Sequence, residues 1–259
     1  MKKITRWGAC FLLSILTLAI VQFNQPIFSQ NSVGEWGYKG KNGPENWGEI
    51  APEFSTCKTG KEQSPINLEQ TASNAELPAI QFDYKYSAYE VVNDGSTIKV
   101  NYAPGSSITV AGKKYELLQF HFHTPTEHQI NGKTYPMEAH LVHQSSNGEL
   151  AVIGVLMKEG EANRFIASLW SNIPKSPGQK QVIRGIKINA SALPPQDQSY
   201  YNYSGSLTIP PCSEGVNWMV LKAPIEVSKE QIKQFQSLYN VNARPIQSLN
   251  NRSIQQSGN

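Results

Sequence analysis

The stretch Gln119-Phe120-His121-Phe122-His123 alternates polar and aromatic side chains, and a period of two fits an extended strand with an aromatic face and an imidazole face. Phe120 and Phe122 call for apolar packing on one side. His121 and His123 then project together from the other, with Gln119 beside them. Glu138 and His140 form a second same-face pair on the following β-like run. Asn131-Gly132-Lys133 is a turn signal between the runs, so an antiparallel hairpin brings His140 across from the first pair.

Three neutral imidazoles converging on one point suit a tetrahedral Zn2+ whose fourth position stays open for water, as in a catalytic rather than a structural zinc site. A metal-bound histidine usually donates its other ring N–H to a carboxylate or carbonyl. Gln119 and Glu138 each stand two residues from a candidate ligand, on the same face. All five histidines of the 259 residues lie between positions 121 and 143. His143, an odd step from His140, faces away, and His128 falls in the connecting loop; both read as structural.

The rest of the chain reads as strand and turn. Short β-rich runs at 88–92, 97–102, 107–110, 115–124, 138–144, 150–157 and 216–221 are separated by Gly, Pro, Asn and Asp. Helical pattern appears at 162–172 and 228–239, where Ser228 is a good N-cap and Gln231 can complete a capping box. The expected fold class is mainly β (α/β mixed), a single domain with a large, mostly antiparallel central sheet and a few surface helices. The polar tail 252–259 is expected to fray.

Residues 1–29 have the form of an export signal: Lys2, Lys3 and Arg6 precede a nearly continuous apolar stretch from Cys10 to Val21. The cleavage site is poorly marked, with Ser29/Gln30 as one option, and an uncleaved membrane anchor is the alternative. That stretch is shorter than the roughly twenty apolar residues of a comfortable span. Either way the folded part, 30–259, is expected outside the cytoplasm, periplasmic or secreted. The formal charge of +3 comes from the leader, which holds no acid; the remainder balances, so nothing points to nucleic acid. Cys10 lies in the leader, which leaves Cys57 and Cys212 either to join in an oxidising compartment or to stay as two free thiols.

Several further segments are recognisable: Trp36-Gly37-Tyr38, Asn42-Gly43-Pro44-Glu45-Asn46-Trp47, Gln63-Ser64-Pro65-Ile66-Asn67, Thr126-Glu127-His128, Glu138 to His143 and Gly205 to Cys212. With the Gln119–His123 run, they make the chain resemble the α-class carbonic anhydrases, specifically exported bacterial ones, from about Trp36 to Arg252. The resemblance implies a roughly ten-stranded central sheet with zinc at the bottom of a conical cleft. It implies reversible hydration of CO2 to bicarbonate and a proton by zinc-bound hydroxide, with CO2/bicarbonate as the small-molecule partner. Oligomeric state is left as monomer or homodimer.

By position, the resemblance makes His121, His123 and His140 the metal ligands, with Gln119 the acceptor for His121 and Glu138 that for His140. Thr208 becomes the residue that accepts a hydrogen bond from the hydroxide, and Glu127 the carboxylate that orients it. Val142, Val152, Leu207, Ile209, Val216 and Trp218 fall at substrate-pocket positions, Ile209 in place of a polar residue found in some members. On the residues alone, Thr208 reads as a turn residue and the apolar positions as core. Cys57 and Cys212 match a cysteine pair of exported members.

At one point the sequence departs from the family. Many fast members carry a proton-shuttling histidine at the cleft rim, and here Ser96 occupies that position, in Asn93-Asp94-Gly95-Ser96-Thr97. Of the residues nearby, Lys99 holds its proton too tightly and Asp94 too loosely for a relay working near neutrality, and Tyr38 is expected to order water. Turnover is therefore expected to depend on small-molecule buffer. Two alternatives stand beside this reading. A non-catalytic carbonic-anhydrase-like binding domain would have lost a ligand. A cupin-type site would use Glu127 as a ligand, but the glycine of its first motif is absent (position 115 is Tyr) and no second motif is present.

Overall fold

The computed structural model describes residues 34–69 and 73–257. The expected leader, 1–29, lies outside the described residues. No helix among those described is long and apolar enough to cross a membrane.

Thirteen strands among the described residues join in one sheet, and ten of them form a single path. From one edge the path runs Lys180–Ile188, Ser87–Asn93, Ile98–Tyr102, Lys113–His123, Met137–Ser145, Leu150–Glu159, Glu214–Leu221, Tyr200–Ser206, Gln255–Ser257 and Ser73–Ala75. Most neighbours are antiparallel. Leu150–Glu159 pairs in parallel with Glu214–Leu221 and with Ile225–Val227, and Gln255–Ser257 with Ser73–Ala75. The expectation of a mainly β fold built on a large, mostly antiparallel central sheet holds. The tail expected to fray is instead docked as far as Ser257: its strand pairs on both sides, Ile254 is buried, and the Arg252 guanidinium donates to the carbonyls of Gln63, Ser204 and Ser248.

Alternation along Lys113–His123 divides the core. Phe120 and Phe122 are fully buried on one face, where Phe122 meets Trp170 edge-on at 4.8 Å and Trp170 stacks on Phe235. Each such ring contributes about 2–3 kcal/mol through the apolar area it removes from water. Trp170 and Phe235 come from the two helices, Arg164–Trp170 and Lys229–Gln236, which cover this face. Asn163 caps the first by accepting from the backbone N–H of Phe165 and Ile166, and Ser228 with Gln231 closes the expected capping box on the second. The opposite face carries a second apolar cluster that includes Leu68, Val142, Val152, Leu207, Val216 and Trp218, and the histidines lie at its border.

The link between the histidine strands is longer than a hairpin turn. Asn131 and Gly132, both with positive φ, make a tight turn between Ile130 and Lys133 inside that loop, while Gln129–Ile130 pairs in parallel with Asn67–Leu68. The strands nonetheless pair antiparallel, as the sequence led one to expect.

Candidate metal centre

His121 stands directly opposite His140 in the antiparallel register, and His123 opposite Glu138. The three rings lie 4.6–5.3 Å apart, centroid to centroid, and their candidate ligand nitrogens all fall within 4.8 Å of one another. Three oxygens fix which nitrogen carries the proton. His121 Nδ1 donates to Gln119 Oε1 at 2.9 Å, His123 Nδ1 to the Asn242 carbonyl at 2.7 Å, and His140 Nε2 to Glu138 Oε1 at 2.9 Å. Carbonyl and carboxylate oxygens only accept, so the lone pairs of His121 Nε2, His123 Nε2 and His140 Nδ1 are left for a shared centre.

His123 Nε2 is buried with no hydrogen-bond partner, an arrangement that costs about 1–3 kcal/mol unless a cation takes the lone pair. The rings are also kept neutral. Burial lowers all three: His121 falls well below the usual imidazole range, helped by His123 and His140, and His123 drops to about 4 despite the Asn242 carbonyl. His140 is lowered by burial in spite of Glu138. Three neutral nitrogen donors fit a zinc ion in number, type and protonation.

Glu138 anchors this arrangement. Its Oε1 accepts from His140 and from His128 Nδ1 (2.7 Å), and its Oε2 from the backbone N–H of Glu127 and His128 (2.9 Å each). Burial pushes its carboxyl up, but His128 and His140 together hold it well below the ordinary range. His128 Nε2 continues to the Tyr203 hydroxyl at 2.7 Å, which meets Ser64 Oγ at 2.8 Å. The cluster of His128, Glu138 and His140 is therefore spent on internal hydrogen bonds. His143 does face away and pairs with the Tyr84 hydroxyl at 2.7 Å.

Burial drives Glu127 up to about 7, against the lowering influence of His140, the Arg244 amide and the Thr208 hydroxyl. Its Oε1 accepts from the Arg244 backbone N–H at 2.8 Å, whereas buried Oε2 has no partner and stands 3.5 Å from His123 Nε2 and 3.7 Å from His140 Nδ1. Thr208 sits on a loop drawn tight by a bond from Cys212 N–H to the Ile209 carbonyl. The Cys57–Cys212 disulfide, spanning 155 positions, ties that loop to the helix Thr56–Thr59. The two cysteines are therefore joined rather than free.

A cleft of about 640 Å³, counting its open mouth, leads to the histidines. Val142, Val152, Leu207, Thr208, Ile209 and Trp218 line it. Val216 does not; it shares a strand face with Trp218 but lies one step further along it, fully buried within the apolar cluster behind the cleft wall. Trp36 joins the wall unforeseen. Ser96, Asp94 and Lys99 stand in the cleft, with Asp94 Oδ1 accepting from Ser96 N–H, Ser96 Oγ and Thr97 N–H at 2.8–2.9 Å. Tyr38 packs edge-on against Trp36 and Trp47 outside the lining, its hydroxyl buried without a partner.

Two further residues escaped the sequence reading. Asn242 supplies the carbonyl for His123 from 119 positions away, and its side chain bonds to Ser96 O, Phe122 O and Thr124 N–H. Arg244 donates to Gln63 Oε1, Ser64 O and Cys57 O while its backbone holds Glu127. Both lie in the extended segment after the last helix, where neither periodicity nor motif marks them.

Residues 42–258 match the family model for eukaryotic-type carbonic anhydrases. A carbonic anhydrase of Nostoc sp. is 44% identical over 223 residues, 85% of this chain and 84% of that protein. Among solved structures, the α-carbonic anhydrase of Thermovibrio ammonificans in complex with the inhibitor sulfanilamide superposes with a TM-score of 0.84 at 46% identity, over 86% of this chain and 99% of that one. A hyperthermostable carbonic anhydrase from a hydrothermal vent chimney gives 0.83 at 48%, over 86% and 100%.

Proposed function

Since the chain belongs to the eukaryotic-type, or α-class, carbonic anhydrase family and is a carbonic anhydrase that hydrates CO2, we propose how its own residues carry that reaction and where its proton leaves. His121, His123 and His140 hold the zinc ion general to this family, oriented by Gln119, the Asn242 carbonyl and Glu138. The orphaned lone pair of buried His123 Nε2, aimed at the same centre as its two neighbours, is the observation that carries this assignment. When bound, the ion supplies the Lewis acidity that ionises water near neutral pH.

The rest falls to the chain. Thr208 donates its proton towards Glu127, which leaves the hydroxyl oxygen to accept from the nucleophile and so aims a lone pair at the substrate carbon. Val142, Val152, Leu207, Ile209 and Trp218 give uncharged CO2 an apolar wall. Val216 supports Trp218 from behind.

Proton export is slow without help. Ser96 stands where a shuttle histidine would, and its hydroxyl is committed to Asp94, so small-molecule buffer carries the proton out. Metal analysis combined with stopped-flow CO2 hydration across an imidazole titration tests both parts. One zinc per chain and a maximal rate that climbs with buffer are expected, with Ser96→His removing much of the dependence. A buffer-independent rate, unchanged in Ser96→His, refutes the export argument. Residues 1–29 act as the export signal, and the enzyme works in the periplasm or outside the cell as a monomer or homodimer.

A further inference from the structure

Lys99 belongs to the cleft and yet has no task in the reaction as described. It lies directly across from His121 in the antiparallel register and lines the cleft with Ser96 and Thr208. Its side chain keeps only 14% of its exposure. A sequestered ammonium normally satisfies its three donors. Here the sole charge partner among the described residues is Asp94 Oδ2, at 3.6 Å and outside hydrogen-bond reach.

Asp94 is a poor competitor for that ammonium. Its Oδ1 is consumed by three donors of the turn that joins Ser87–Asn93 to Ile98–Tyr102, which fixes the carboxylate in place and keeps it from closing on Nζ. An under-coordinated cation inside an apolar-walled cleft is a docking point for a small oxyanion.

We propose that Lys99 is an anion-docking residue of this cleft. It would hold a small oxyanion beside the metal centre: the anionic base of a buffer such as phosphate during hydration, or bicarbonate on its way in during dehydration. For the buffer, this rests on the proposal above that external bases carry the proton. A docked base would raise its local concentration at the site where Ser96 cannot serve.

Phosphate and imidazole make a matched pair of probes, because both have conjugate acids near neutrality while only phosphate is anionic. Stopped-flow hydration of the zinc enzyme and of Lys99→Gln, with each as sole buffer at low ionic strength, reads the slope of rate against buffer concentration. The phosphate slope is expected to fall about fivefold in Lys99→Gln, with the imidazole slope unchanged. In the dehydration direction, a KM for bicarbonate that rises several-fold at constant kcat identifies bicarbonate as a second occupant; an unchanged KM assigns the site to the buffer anion alone.

Broadening of the 31P signal of inorganic phosphate by the enzyme, lost in Lys99→Gln, reports docking without any turnover. Phosphate slope, bicarbonate KM and 31P broadening all unaltered by Lys99→Gln overturn the proposal, even where buffer dependence persists. A rate indifferent to both buffers refutes the export argument instead, and KM and broadening then decide for Lys99 by themselves.

Discussion

Replacing Glu138 by Gln keeps the shape of the side chain and deletes one acceptor, and the surrounding donors dictate the result. Four N–H groups converge on the two carboxylate oxygens: His140 Nε2 and His128 Nδ1 on one, the Glu127 and His128 amides on the other. A carboxamide offers a single oxygen, so its NH2 must face two of those donors. If the oxygen stays with the backbone amides, both imidazoles must change tautomer, and in His140 the proton moves to Nδ1, the nitrogen directed at the common centre.

If instead the oxygen stays with the rings, two buried backbone N–H groups are orphaned, at about 1–3 kcal/mol each. Either outcome also forfeits charge-assisted bonds, so a loss of about 3–5 kcal/mol in stability is expected, or very roughly 10 °C in Tm for a domain of this size. Zinc affinity should fall about 10–100-fold. Chelator-competition titration and thermal unfolding of the metal-loaded protein measure the two effects. Gln119→Ala, which removes a single neutral acceptor from His121, should be the milder variant in both. Unchanged zinc affinity in Glu138→Gln would refute the tautomer argument outright.

Gly205→Ala should destabilise by several kcal/mol in chemical unfolding, because a Cβ there would overlap Ser64 Oγ and lie 2.7 and 2.8 Å from the rings of Tyr203 and Trp218. Burial lowers His143 from 6.5 to about 3, so the folded protein binds fewer protons than the unfolded chain. That contribution is complete above pH 6.5 and is lost as pH falls towards 3; the stability gap between wild type and His143→Gln should therefore shrink by about 2 kcal/mol between pH 7 and 4.5, read from urea unfolding. Replacing Cys57 and Cys212 by Ala should lower stability by up to about 5 kcal/mol, the entropy of a loop this long, as measured in guanidinium. Because Cys212 closes the Thr208 loop, kcat should drop in the same variant.

Local pattern carried most of the fold and the three histidines. Period-two alternation around His121, the cap at Ser228 and the β-rich runs all depend on neighbours in sequence, and each appears where that logic places it. What stayed hidden depends on distant partners. Lys180–Ile188 is an edge strand interrupted by a bulge and by Gly185, so its burial follows no regular period. The docked strand Gln255–Ser257 is polar throughout and owes its place to pairing partners rather than to apolar side chains. Asn242 acts partly through a backbone carbonyl, a group every residue owns, so no residue type could have announced it. Val216 shows the converse: an apolar residue near a cleft is indistinguishable in sequence from one that lines it.

The segment carrying Asn242 and Arg244 imposes an order on biosynthesis. A growing chain of some 240 residues already contains every candidate ligand, yet it lacks the carbonyl that fixes the His123 tautomer and the amide that seats Glu127. The centre therefore matures last, after the final stretch has threaded back beneath it. Until then the three imidazoles of a nascent or truncated chain bind divalent cations in the order that imidazole chemistry itself sets, and the geometry that can override that order is completed only at the end of folding.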